Sequence, residues 1–361
     1  MKYYSLDKIL EAAPDALYYI IYGERSNGKT FSVLNYGLQQ WCKHHKQIAI
    51  VRRWQDDFRG KRAATMFDNL VSNGLVSKYT NGEWDQVYYF SGRWYLATYD
   101  DKHNLKHQDE PFAYAFSISA YEHDKSSSYP GVTTIFFDEF LTRGMTLPDE
   151  FILFMNVVST IVRDRNNIKI FMCGNTVNQY SPYFAEMGLT NVKNQQKGTI
   201  DIYQYGTSDL KVAVEYSDTP AKKKKSDVYF AFDNPKLEMI TGGAWEIDIY
   251  PHCPEKFAPK QILFIFYLKF STDILQAEIV QGEYMQFLFI HRKTTPIKNE
   301  NTDIVYSAVD NIPKPNWHRN LFKDTDNISS KIRWFFANEQ VYYQDNTIGE
   351  IVRNYRQWCS M

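Results

Sequence analysis

The stretch GERSNGKT at 23–30 has the spacing Gly-x4-Gly-Lys-Thr. It follows the apolar run LYYII (17–21) and opens a segment of helical spacing, FSVLNYGLQQWCKHH (31–45). A phosphate-gripping loop needs that strand–loop–helix setting. Gly23 and Gly28 let the backbone curl, so that successive N–H groups across Glu24, Arg25, Ser26 and Asn27 turn toward phosphate oxygens. A helix opening near Lys29 adds the positive end of its dipole. Lys29 supplies an ammonium for the β- and γ-phosphates, and Thr30 a hydroxyl for a magnesium ion. Arg25 either reaches the γ-phosphate or stays solvated. The plain alternative is a surface turn that carries Lys-Thr.

A second set of groups lies in TTIFFDEF (133–140). A buried strand delivers its terminal acids to the C-terminal edge of an α/β sheet, where ligands bind. Adjacent strand residues point to opposite faces, so Asp138 and Glu139 are expected to do different work. Asp138 is the natural partner of magnesium. Glu139 can polarise a water for attack on a phosphate. Alone, the pair could equally be a solvated strand cap. Asn175, at the end of IKIFMCGN (168–175), either holds that water or shapes a turn. Arg163 and Arg165 close a helix in TIVRDRNN, where the dipole favours cations. Either could instead reach a neighbouring subunit's phosphates, as could Lys125 in the Ser/Gly-flanked stretch EHDKSSSYPG.

These groups need a scaffold. The chain has 361 residues, 44% hydrophobic and 16% aromatic, enough for two domains with real cores. Its net charge of −1 confines any nucleic-acid contact to local patches. Four cysteines without metal-ligand spacing suggest a reducing compartment. No secretory leader and no membrane-length apolar run are visible.

From 17 to about 214, short apolar runs alternate with helical segments such as 31–45 and 150–164. That pattern predicts a parallel sheet covered on both faces, an α/β domain. VYYFSGRWYLATY (87–99) reads as an inserted hairpin turning at Ser91-Gly92. LKVAVEYSDTPAKKKKSD (210–227) ends in four lysines and reads as an exposed linker. Beyond it, 244–250, 261–270, 284–292 and 302–309 read as strands, and 331–339 and the last dozen residues as helices. The expected division is therefore a first domain at 1–207, a linker at 208–230 and an α+β domain at 231–361.

The order of elements resembles a known family. The phosphate loop, IVRR (50–53), SSYPGVTTIFFDEF (127–140), VRDRNNIKIFMCGN (162–175) and SPYF (181–184) together look like the genome-packaging ATPases, or encapsidation proteins, of small tailed bacteriophages with protein-primed, unit-length DNA. Those proteins are relatives of large terminase subunits. The matching segments span about 17–185. The resemblance implies a P-loop ATPase domain of the additional-strand, conserved-Glu type, using ATP and Mg2+, followed by a smaller RNase H-like domain. It implies a homomeric, commonly pentameric, ring on the portal vertex of an empty prohead, driving double-stranded DNA through its pore. A structural RNA is one candidate link to the portal. The protein would work in the host cytoplasm, transiently on the prohead, without a membrane and outside the mature virion.

Carried over by position, Gly23, Gly28, Lys29 and Thr30 bind phosphate and magnesium, and Asp138 and Glu139 are the metal-binding and catalytic acids. Asn175 is the sensor, Arg163 the trans-acting finger with Lys125 beside it, and Arg52 and Arg53 a basic pair near the nucleotide. Unit-length DNA needs no cutting, so the second domain is expected not to cleave, with Glu246, Asp248 and Asp303 forming no evident site. Pore-facing candidates are Lys61 and Arg62, in the loop FRGKRAA (58–64), and Lys222–Lys225. A P-loop kinase and a non-motor, nucleotide-gated structural protein are the competing readings.

Overall fold

The computed structural model describes residues 4–120, 128–144, 146–206, 208–218, 245, 247–307 and 312–360. The chain divides into two compact units, Met1–Glu246 and Ile247–Met361. The first has ten strands: β1 (Tyr18–Gly23), β2 (Gln47–Arg52), β3 (Gln86–Phe90), β4 (Arg93–Tyr99), β5 (Leu105–His107), β6 (Ala113–Ser117), β7 (Val132–Asp138), β8 (Lys169–Asn175), β9 (Ile200–Gln204) and β10 (Lys211–Tyr216). They form one sheet in the order β3-β4-β6-β2-β7-β8-β1-β10-β9, with β5 against β4. β6, β2, β7, β8, β1 and β10 are parallel neighbours, and the flanking strands pair antiparallel. The helices are α1 (Asp7–Ala12), α2 (Lys29–His44), α3 (Gly60–Ala64), α4 (Asp68–Ser72), α5 (Leu75–Tyr79), α6 (Glu150–Val162) and α7 (Pro182–Glu186).

The continuous apolar runs become central strands because both sheet faces are covered. Alternation along each run sends neighbours to opposite layers. Tyr19, Ile21, Ile48, Ile50 and Phe171 join a cluster with Val33, Leu34 and Leu38 of α2. Ile20, Val51, Ile135, Phe137 and Met172 join another with Phe154, Val157 and Ile161 of α6. Each fully buried side chain of this size contributes about 1.5–3 kcal/mol. The hairpin expected at 87–99 is β3–β4. Ser91 and Gly92 at its tip both have positive φ, +47° and +78°, as a tight primed turn requires.

Three segments differ from the sequence reading. Residues 211–216, expected in a linker, are a strand lying parallel to β1. Val212, Ala213 and Val214 are buried between helical layers, and the lysine run masked this apolar alternation. Residues 219–230 lie outside the described residues, as do Lys222–Lys225 within them. The stretch FRGKRAA, read as a loop, contains α3, with Arg62 3.8 Å from Asp57. The described residues of 244–250 are irregular instead of a strand. There the Tyr250 N–H donates to Asn346 Oδ1 at 3.0 Å and its hydroxyl to Glu350 Oε2 at 2.7 Å, so side chains replace a ladder.

The second unit has β11 (Ile262–Phe270), β12 (Asp273–Gln281), β13 (Gln286–Arg292), β14 (Val305–Ser307), β15 (Trp317–His318) and β16 (Val341–Tyr343), with helices α8 (Asn327–Ala337) and α9 (Asn346–Ser360). Its sheet order is β15-β14-β11-β12-β13-β16. β11–β13 are an antiparallel meander, while β14 runs parallel to β11, β15 to β14 and β16 to β13. β12 shows no continuous apolar run in the sequence, because Gln276 and Glu278 alternate with Leu275, Ala277 and Ile279.

Burial of β10 makes a pH-dependent prediction. Glu215 is 2% exposed and accepts from the Tyr4 hydroxyl at 2.6 Å. Burial pushes its carboxyl above the ordinary 4.5, against the opposing Tyr4 hydrogen bond. The folded state therefore favours the protonated form. Its contribution to stability is full below the ordinary value and is lost as pH rises through the elevated one. Glu215→Gln, which keeps an acceptor for Tyr4, should melt above the native protein near neutral pH and coincide with it below about pH 4. Equal melting temperatures near neutrality would contradict this.

Candidate active site

Register brings the chemistry together. In the parallel sheet Gly23 lies beside Asn175, Asp138 beside Cys173, and Val51 beside Phe137. The tips of β1, β2, β7 and β8 therefore emerge along one edge, and α2 starts there. The loop between β1 and α2 curls through Ser26 (φ +57°) and Gly28 (φ +98°), and Gly28 caps α2. A Cβ at Gly23 would stand 2.9 Å from the Ser217 carbonyl oxygen, so only glycine fits against β10's end.

A cavity of about 560 Å3 opens over this edge. Its wall is the loop 25–31, Asp138, Glu139, the β8 tip at 173–175, and Asn69 and Asn73. The sequence carries no signal for the two asparagines, on and just beyond α4. Lys29 is 5% exposed. Its ammonium donates to Glu24 O at 2.5 Å, Asn27 Oδ1 at 3.1 Å and Asn175 Oδ1 at 3.4 Å. Burial pushes its pKa down to about 8, with Cys173, Asp138 and Glu24 pulling the other way.

Thr30 Oγ1 donates to Asp138 Oδ1 at 2.9 Å. Asp138 is 2% exposed, and its other oxygen accepts from Arg52. Burial raises the Asp138 pKa, while Arg52 opposes that rise. The second Arg52 amino group donates to Glu139 Oε2 at 3.0 Å. Glu139 was expected to face away from Asp138. Both line the same cavity, because strand geometry ends at Asp138 and Glu139 turns with φ +59°. A buried carboxylate joined to a threonine hydroxyl is a hard-oxygen donor set, and it fits magnesium.

Other expected residues fall elsewhere. Arg53, assigned to nucleotide binding, does not line the cavity. Just past the end of β2, it points away from Arg52. Its guanidinium donates to Glu150 Oε2 at 2.7 Å, Glu150 Oε1 at 2.8 Å and Phe140 O at 2.8 Å. Glu150 also accepts from Tyr183 Oη at 2.9 Å and the Leu147 N–H at 2.8 Å. This buried knot holds the turn that carries Glu139. Glu24 is buried, with its carboxylate 2.8 Å from Lys197 Nζ. Arg165 is a clasp: it donates to the Pro130 and Val132 carbonyls at 2.8 and 2.7 Å, and to Tyr129 and Ile161. Arg163 caps α6 with φ +50° and ψ −120°, exposed and away from its own chain's cavity. Lys125 lies outside the described residues.

Fold and site define the class: a mixed α/β protein whose parallel-rich sheet carries a Gly-x4-Gly-Lys-Thr loop facing an Asp-Glu pair. The chain belongs to the podovirus DNA encapsidation protein (Gp16) family, whose profile matches residues 1–227. It is 26% identical over 213 residues to the DNA packaging protein of Bacillus phage B103, covering 58% of this chain and 59% of that protein. It is 22% identical over 229 residues to the DNA packaging protein of Bacillus phage phi29, covering 62% and 60%. The chain thus spans about three fifths of the length of these curated relatives. It shares its fold with the bacteriophage Phi-29 viral genome packaging motor assembly, with TM-score 0.56 and 18% identity over 99% of both chains. The Phi-28 gp11 DNA packaging motor is similar at TM-score 0.53 and 16% identity, covering 99% and 97%.

The Arg53–Glu150 pair is testable. Breaking a buried pair from one side leaves an uncompensated charge, at a cost of about 3–5 kcal/mol. Glu150→Gln should lower unfolding free energy by that order in chemical denaturation. A loss under about 1 kcal/mol would mark the pair as no stronger than a surface contact.

Proposed function

We propose that this chain is the ATP-hydrolysing subunit of a motor that drives double-stranded viral DNA into an empty prohead. The observation that carries the reading is one cavity walled by both the 25–31 loop and Asp138–Glu139, in a chain of the DNA encapsidation family. The relatives' designation as DNA packaging proteins supports the same assignment.

In this reading the loop N–H groups and Lys29 hold the phosphates of ATP. Thr30 and Asp138 hold Mg2+, which when bound neutralises phosphate charge. Glu139 takes the proton of the attacking water at its carboxylate. Asn175, in contact with Lys29, reports on the phosphate to β8. Arg163 serves as the finger toward a neighbour's nucleotide in a homomeric, pentameric ring docked on the portal, with Lys125 assisting. Exposure of Arg163, away from its own cavity, supports a trans role. Exposed Lys61 and Arg62 are candidates for sequence-independent phosphate contacts with DNA.

The second unit is proposed to be RNase H-like and non-cleaving, serving to bind DNA or the portal. An antiparallel meander extended by parallel β14 and β15 supports the fold. β11, β13 and β14 carry no Asp or Glu, and the two acids of β12 are engaged, Asp273 by Arg292 and Glu278 by His291, which supports the loss of cleavage. Of the acids considered from sequence, Asp303 accepts from the Asn299 N–H at 3.2 Å and Glu246 is outside the described residues. His318, Asp324 and Asp326 lie close enough to share an ion. Asp326 already caps α8, accepting from the Ile328 and Ser329 N–H groups, and Asp324 meets His318 at 2.5 Å.

Phosphate release with and without double-stranded DNA and proheads tests the assignment. Stimulation by both is expected. Turnover that depends on a small phosphate acceptor, or none under any condition, would overturn it. Arg163→Ala should keep nucleotide affinity and lose about 10³-fold or more of the ring-dependent rate.

A further inference from the structure

Arg52 sits between two acids. It ends β2 beside β7, so register alone carries it to the tip that bears Asp138. One amino group binds Asp138 and the other binds Glu139 Oε2 at 3.0 Å. The second Asp138 oxygen accepts from Thr30, so both carboxylate oxygens are engaged. The Arg52 Nε is buried without a hydrogen-bond partner. A buried orphan donor is costly, so this position of the side chain carries a penalty that leaving it would relieve.

We propose that Arg52 and the divalent cation compete for Asp138, and that Arg52 is a positioning residue that couples cation binding to the Glu139 carboxylate. The inference rests on the reading in which Thr30 and Asp138 hold the metal. A second cation at the same buried carboxylate is repelled by the first. Arrival of the ion therefore displaces the guanidinium from Asp138. The Thr30 hydroxyl can stay, by turning a lone pair to the ion.

What moves with Arg52 follows from the neighbouring contacts. The Glu139 backbone is fixed from the other face, where Arg53 donates to the Glu139 carbonyl at 3.4 Å and the Phe140 carbonyl at 2.8 Å. The Glu139 side chain is 64% exposed, and among the described residues Arg52 is its tether. Displacing Arg52 thus re-aims the carboxylate while the turn stays in place. One arginine anchors the turn, and the one before it moves the acid.

The test uses the full chain and a fluorescent ADP analogue. Its affinity is measured with Mg2+ and with EDTA, and the ratio of the two gives the metal coupling. Taking the ratio removes any direct effect of Arg52 on the phosphates. Arg52→Gln should raise the ratio about tenfold, which corresponds to about 1.4 kcal/mol of relieved competition. Arg52→Lys keeps the charge but loses the two-pronged grip, so its ratio should rise several-fold. A Lys variant equal to native, beside a raised ratio in the Gln variant, would mean that only the field of the charge matters, and would overturn the two-pronged coupling of Asp138 to Glu139. That variant is conservative enough to carry the test if the Gln variant fails to fold. Asp138→Asn should collapse the ratio toward one. An unchanged ratio in Asp138→Asn would sink the metal-site reading itself. Collapse there, with no rise in either Arg52 variant, would sink only the role of Arg52.

Discussion

The hydrogen bond from Thr30 to Asp138 joins residues 108 positions apart. It is possible only because β1 and β7 run parallel, one strand removed from each other across β8, and end at the same sheet edge. Parallel order follows from two covered faces, and covered faces follow from uninterrupted apolar runs. If any central strand slipped by one residue, the 23–30 loop and the acids would no longer share a wall, and that strand's side chains would swap between the two core layers. The chemistry is thus a consequence of sheet register, and the register is fixed by core packing.

Two adjacent arginines show how strand alternation divides work. Arg52 turns toward the strand tip and meets both acids. Arg53 faces the interior and is fastened to Glu150, at the first turn of α6. α6 ends at Arg163, so one helix links the knot beneath Glu139 to the proposed finger. A helix of 13 residues spans roughly 20 Å. A shift of the Glu139 turn has a rigid element through which to act on Arg163, and the buried knot makes that element part of the site.

Much of this was legible in the residues. Apolar runs of four or five placed β1, β2, β7 and β8, and the Gly-x4-Gly-Lys-Thr spacing placed the loop. Ser91-Gly92 placed the hairpin turn. The basic pair was visible, but not its division, because the direction of a strand's last residues depends on where the strand ends. Glu139 shows the same limit: an expectation of opposite faces failed once φ turned positive. β10 was obscured because a charged run just beyond it dominates local composition. Glu150 and Tyr183 were not visible as a site at all, since a buried acid is recognisable only through its partner.

The central claim is that a nucleotide's phosphates are held by the 23–30 loop with Lys29 at its heart. Equilibrium nucleotide binding to Lys29→Ala, compared with the native chain at fixed Mg2+, measures it most directly. Loss of the charged hydrogen bonds to phosphate predicts about ten- to hundredfold weaker binding. Affinity equal to native would contradict the assignment of the cavity.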